Sequence, residues 1–200
     1  MSTTAEPGLR ERKKAATRRA LHDAAVRLAM RDGAERVTVE AIADEAGVSR
    51  RTFSNYFGSK EEALMYGDLQ RIQSLIEIVR TRPAGEAPWP ALTAAAEEFY
   101  RRLGDLDPQW VAQVRLVRAH PTLAVAQVQT FAALERELSA EVAARWSDDD
   151  PSGVRARMTA ATFLVALRVA LHIWLDRPPG TPLWDLAREA LAEAGRGFES

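Results

Sequence analysis

The chain has no cysteine and only three histidines in 200 residues. Disulfides, cysteine-based metal sites and thiolate nucleophiles are excluded, and the lack of thiols suits a reducing cytoplasm. No GxxxxGK[ST] or GxGxxG phosphate loop occurs, and the histidines form no HExxH pair. Asp148, Asp149 and Asp150 form the one DxD-like cluster, in a Ser/Asp/Pro/Gly turn where solvation accounts for them. Long apolar runs are also scarce. Phe163–Leu175, the longest, is broken by Arg168 and His172 and is shorter than a membrane span. The N-terminal stretch has basic residues with no apolar core behind them, so it does not read as a secretory signal. No strand-like alternation and no internal repeat is visible. An enzyme or a membrane-spanning protein finds no support in this inventory, and no metal site is expected.

Charge is scarce only in the net. The formal charge is −1. Residues 1–60 nevertheless carry twelve Lys/Arg against eight Asp/Glu, and residues 61–200 carry fifteen against twenty. A basic head on an acidic body suits a polyanionic partner at one end. A solvated basic face gives the same count.

The stretch from Val37 to Lys60, VTVEAIADEAGVSRRTFSNYFGSK, reads as two short helices and a tight turn. Thr38 suits an N-cap, and Ala41, Ile42 and Ala46 form one small apolar face. Gly47 stands where the chain must turn, since glycine alone takes a positive φ without steric cost. Ser49 suits the N-cap of a second helix, Arg50 to Phe57, with Phe53 and Phe57 facing inward. Arg50, Arg51, Ser54, Asn55 and Tyr56 are then left outside. This is helix-turn-helix spacing, in which the second helix lies in a DNA major groove. Arginine can pair bidentately with guanine and asparagine with adenine, while Tyr56 and Lys60 would hold phosphates. An ordinary helical hairpin with a solvated polar face has the same spacing.

Gly47-Val48-Ser49, Thr52-Phe53, Tyr56-Phe57 and Ser59-Lys60-Glu61-Glu62-Ala63-Leu64 resemble the DNA-binding signature of the TetR family of repressors. The resemblance covers about residues 10–66. Arg50, Arg51 and Phe53 are similar to the branch that includes mycofactocin-type regulators. Ser54 departs from the pattern, because the family usually has an aromatic there. The resemblance implies a ligand-responsive, dimeric DNA-binding regulator and no enzymatic activity. The candidate DNA contacts are Lys14, Arg18, Thr38, Ser49, Arg50, Arg51, Thr52, Ser54, Asn55, Tyr56 and Lys60.

The fold class read from periodicity is all-α, with about nine helices. A disordered arm is expected over 1–9, a three-helix DNA-binding domain over 10–58, and a helical ligand-binding and dimerisation domain over 59–200. Later helices are predicted over about 59–80, 89–103, 108–119, 121–146, 154–175 and 182–198. The last two are rich in alanine, which permits close helix packing. The resemblance implies that they pair with a second subunit, and packing inside one chain would use the same faces. Large apolar groups and a few polar ones, Trp89, Phe99, Trp110, Arg115, Arg118, Phe131, Phe163 and His172, could line a small-molecule pocket or form a plain core. Such a pocket suits an apolar acid, and the branch resemblance points to acyl-CoA-like effectors. No other cofactor is implied. Double-stranded DNA, an effector and a second copy are the expected partners, with no membrane. The rival reading is a helical protein-interaction module without specific DNA recognition.

Overall fold

The computed structural model describes residues 8–104, 106–145, 150–177 and 180–196. Most of the expected arm at 1–9 lies outside them. All the regular structure among the described residues is helical: α1 (Leu9–Asp32), α2 (Val39–Glu45), α3 (Arg50–Ser54), α4 (Lys60–Thr81), α5 (Pro88–Leu103), α6 (Pro108–Ala119), α7 (Pro121–Ala143), α8 (Val154–Asp176) and α9 (Leu183–Gly195).

These helices divide between two compact units. The first comprises 1–69 and 107–127, and the second 70–106 and 128–200. No pattern in the linear sequence marks α6 as a partner of the N-terminal helices. The reason is a shared core. Val117 and Leu123 are buried in the same cluster as Leu21, Ala25, Leu28, Ile42, Phe53 and Phe57. Two polar bonds reinforce it: the buried Gln113 donates to the Leu64 carbonyl at 2.7 Å, and Trp110 Nε1 donates to Asp68 at 2.8 Å.

The second unit is built on α8 and α9, with α5 packed against both. Ala160, Ala166, Ala170 and Ala187 are buried, so alanines on both helices lie in the core. Trp89 of α5 meets Phe163 edge-on, with centroids 6.3 Å apart. Tyr100 meets Phe99 edge-on and Trp184 at a tilt, and burial pushes its phenol pKa up. The end of α4 is fastened within this unit. Arg80 bonds Glu141 at 2.7 Å, Glu137 at 2.8 Å and also Glu77. Arg145 donates to the carbonyls of Val79, Arg82 and Pro83, satisfying acceptors that a helix C-terminus leaves open.

The apolar run Phe163–Leu175 lies inside a longer helix. α8 has 23 residues, and its most apolar stretch has a mean hydropathy of 1.7. By length and composition alone it could cross a membrane. Its two faces differ in the fold. Ala160, Phe163, Leu164 and Ala170 are buried, while Val154, Met158, Val165, Val169 and Ile173 are 41–59 % exposed. Spacings of four and seven residues put the exposed set on one stripe.

α9 closes on α5 at Gly195. A Cβ there would come within 2.3 Å of Trp89 Nε1 and 3.0 Å of two further indole atoms. The indole is buried and cannot swing clear. Gly195→Ala is therefore expected to destabilise the protein by about 1–3 kcal/mol, the usual range for overpacking. Denaturant unfolding would measure this, and an unchanged midpoint would refute the contact.

Candidate nucleic-acid interface

The first unit exists locally because each helix end is satisfied. Thr38 caps α2, its hydroxyl accepting from the Ala41 amide at 3.1 Å. Gly47 has φ +68°, the conformation that the turn requires. The Val48 amide donates to the Ala43 carbonyl at 2.9 Å, closing the turn. Ser49 caps α3 through the Thr52 amide at 3.0 Å and also bonds the Thr52 hydroxyl. Ser59 caps α4 through the Glu62 amide at 3.1 Å, and Glu62 accepts from the Gly58 amide at 2.7 Å. This capping box reaches one residue further back than the usual form.

α3 is shorter than the sequence suggests. The expected helix ran to Phe57, but regular α structure stops at Ser54. The Tyr56 amide bonds Phe53 three residues back, and the Asn55 amide is shared between Arg51 and Thr52. The coil thus tightens before it ends. Phe53 and Phe57 still point inward, with rings 5.8 Å apart. Their burial turns Arg50, Arg51, Ser54 and Asn55 to solvent.

Three expected contacts, Lys60, Arg18 and Tyr56, are placed differently from the sequence reading. Lys60 is half-buried, and its ammonium donates to the carbonyls of Ala34, Glu35 and Val37 at 3.1, 3.1 and 2.9 Å. An ammonium has three donors, so all are used in tying α4 to the α1–α2 connection. Arg18 is also turned inward. It donates to the Tyr56 carbonyl at 3.0 Å and lies over the Phe57 and Tyr66 rings. Tyr56 is half-buried against the core rather than free. The Ser54 hydroxyl bonds back to the Arg50 carbonyl at 3.2 Å within its own helix. Lys14 is exposed on α1.

Two further residues escaped sequence reading. His22 Nδ1 lies 2.8 Å from the Ala63 carbonyl, which requires the proton on Nδ1. Glu40 of α2 pairs with Arg50 at 3.1 Å. No linear signal joins residues ten apart across a turn, although both face the same side once the hairpin is drawn.

The candidate effector residues do not fall in one unit. Trp110, Arg115 and Arg118 belong to the first, and both arginines are exposed. Trp89, Phe99, Phe131, Phe163 and His172 belong to the second, where Trp89 and Phe163 are core. A cleft of about 460 Å³ lies in the second unit. Ile78, Thr81, Arg82, Pro83, Ala94, Glu97, Glu98, Arg101 and Arg102 line it, and it includes none of the candidates. Its arginines are spoken for: Arg82 pairs with Glu86, and Arg101 and Arg102 with Glu98. These pairs raise the guanidinium pKa of Arg82 and Arg101 and lower the carboxyl pKa of Glu86 and Glu98. Among the described residues, no group of three or more His, Asp or Glu could hold a metal.

Comparison with known proteins gives this arrangement a lineage. The family model described as "Bacterial regulatory proteins, tetR family" matches residues 21–64, the helical head. The model described as "MftR C-terminal domain" matches residues 86–199, more than half of the chain. The HTH-type transcriptional regulator TcmR of Streptomyces glaucescens is 33% identical over 100% of this chain and 87% of its own. The chain belongs to the TetR family. It is a DNA-binding transcriptional regulator of the ligand-responsive repressor kind. Solved TetR-family structures share the all-helical fold. Thermus thermophilus FadR, a repressor solved with lauroyl-CoA, superposes with a TM-score of 0.58 at 25% identity. That match covers 92% of this chain and 95% of the FadR chain. NalD of Pseudomonas aeruginosa, a secondary repressor of a multidrug efflux pump, gives 0.57 at 22% identity, covering 93% and 97%.

Lys60 offers the sharpest test of the head. Lys60→Met removes three charge-assisted bonds and is expected to cost about 2–3 kcal/mol of stability. Thermal unfolding would show a lowered midpoint. A variant with normal stability but uniformly weakened DNA binding would return Lys60 to the phosphate role.

Proposed function

We propose that the protein binds a palindromic operator as a homodimer, with α3 of each copy in a major groove. The observation that carries this reading is the turn of α3. Phe53 and Phe57 are buried, so Arg50, Arg51, Ser54 and Asn55 project outward from a capped, rigid hairpin. Arg50, Arg51 and Asn55 are the residues to which we assign base reading, and the exposed Lys14 is assigned to phosphate. Thr38, Ser49 and Thr52 are assigned to DNA binding through the bonds by which they fix the hairpin.

A five-residue reading helix makes few base contacts, and a two-fold pair doubles them. The exposed apolar stripe of α8 supplies a surface for the second copy, because five large aliphatic side chains at helical spacing exceed what a solvated helix needs. α8 and α9 are the assigned dimerisation helices. The same use of the stripe accounts for α8's hydropathy without a membrane, and a cytoplasmic location follows from the DNA partner.

The effector is proposed to be an apolar acid or acyl thioester held by the second unit, in keeping with the lauroyl-CoA bound by FadR. Phe99, Phe131 and His172 are half-buried and remain the side chains best placed to meet it. α4 is the proposed transmitter, since it contributes 60–69 to the first unit and 70–81 to the second. An effector that binds one packing of the second unit better than another shifts the population, and α4 carries the difference to the head.

Selection of sites from random duplex DNA near physiological salt tests the reading. A two-fold palindrome is expected, and enrichment of no sequence would refute it in favour of an interaction module. Val165→Asp with Val169→Asp should yield a monomer by light scattering and abolish preference for the palindrome over a single half-site. A variant that stays dimeric would remove α8 from the interface. Arg51→Ala should cost about 1–3 kcal/mol on the selected site while leaving affinity for random DNA nearly unchanged. Equal losses on both would make Arg51 a phosphate contact instead.

A further inference from the structure

We infer that Glu40 is a positioning residue for base recognition, aiming Arg50 at one base pair in each half-site. This rests on the head reading DNA as described above. Arg50 opens α3, and its Nη1 lies 3.1 Å from Glu40 Oε1 on α2. Both side chains are largely exposed, at 73% and 54%. The contact therefore adds little to folding stability. What it does is geometric. The two helices are held by the Val48–Ala43 backbone bond and the Ser49 cap, so the carboxylate is presented from a fixed platform.

A guanidinium is a planar fork of five N–H groups. The carboxylate meets one terminal nitrogen, which leaves the remaining donors for a guanine O6/N7 pair. It also stands beside the arginine as a like charge to the DNA backbone, which disfavours diversion of Arg50 to a phosphate. Arg51, the next residue, has no ion-pair partner among the described residues and lacks this constraint. A second exposed pair on α2 gives an internal comparison: Glu45 meets Arg27 of α1 at 3.2 Å and involves no residue of α3.

Full-length wild type, Arg50→Ala, Glu40→Gln and Glu45→Gln would be compared by competition binding. The competitors are all single-base variants of the selected half-site at one salt concentration. Arg50→Ala is expected to abolish discrimination at one base pair. Glu40→Gln is expected to reduce discrimination at that same base pair by about 2- to 5-fold, the strength of an exposed ion pair. Other positions and the thermal midpoint should stay unchanged, and Glu45→Gln should keep the wild-type profile. A Glu40→Gln profile like wild type overturns the inference. So does a uniform change matching that of Glu45→Gln, which would mark a general charge effect. An effect at a base pair different from that of Arg50→Ala also overturns it, because Glu40 would then read a base directly. The wild-type selection is read first. If it yields no preferred sequence, specific DNA reading itself has failed, and this inference falls with it.

Discussion

The fold rests on the polar fastening of α4, with 60–69 in the first unit and 70–81 in the second. Its first turns are fastened in the first unit by polar bonds of different kinds. Lys60 reaches three carbonyls, His22 meets the Ala63 carbonyl, Gln113 meets the Leu64 carbonyl and Trp110 meets Asp68. Its last turn is fastened in the second unit by Arg80 and Arg145. Polar bonds made inside a protein are directional and costly to leave unmade. Each end of α4 is thereby fixed in its own unit by bonds whose geometry tolerates little displacement.

The head shows how charge is divided between structure and reading. Of the cations near the hairpin, Lys60 and Arg18 are turned inward to satisfy carbonyls and cover aromatic rings. Arg50 is held by Glu40, while Arg51 is exposed. A basic sequence count therefore overstates the charge available to DNA. Arginine and lysine near an aromatic-rich turn are drawn to backbone acceptors that the turn leaves open, and those acceptors are invisible in a one-dimensional pattern.

The second unit owes its form to small residues. Buried alanines lie where α8 packs on α9, and Gly195 lets the Trp89 indole approach α9 closely. The same helix that is buried on one side carries a row of exposed valines, methionine and isoleucine on the other. Hydropathy averages these faces into one number and so resembles a membrane span. Only the partition of the residues around the helix shows that one apolar face is core and the other is exposed.

The sequence by itself determined the helical class, most helix limits and the helix-turn-helix. Those features follow from local physics: the spacing of apolar side chains, the Thr38, Ser49 and Ser59 caps, and Gly47 at a positive φ. Phe53 and Phe57 were legible as core because i, i+4 aromatics must share a face. The tertiary structure alone decided the rest. It placed α6 with the head, turned Lys60 and Arg18 inward, brought Glu40 to Arg50, and divided the candidate effector residues between two units. Each of these depends on groups far apart in the chain or across a turn meeting in space. Their partners are mostly backbone carbonyls, which every residue possesses and no sequence motif marks.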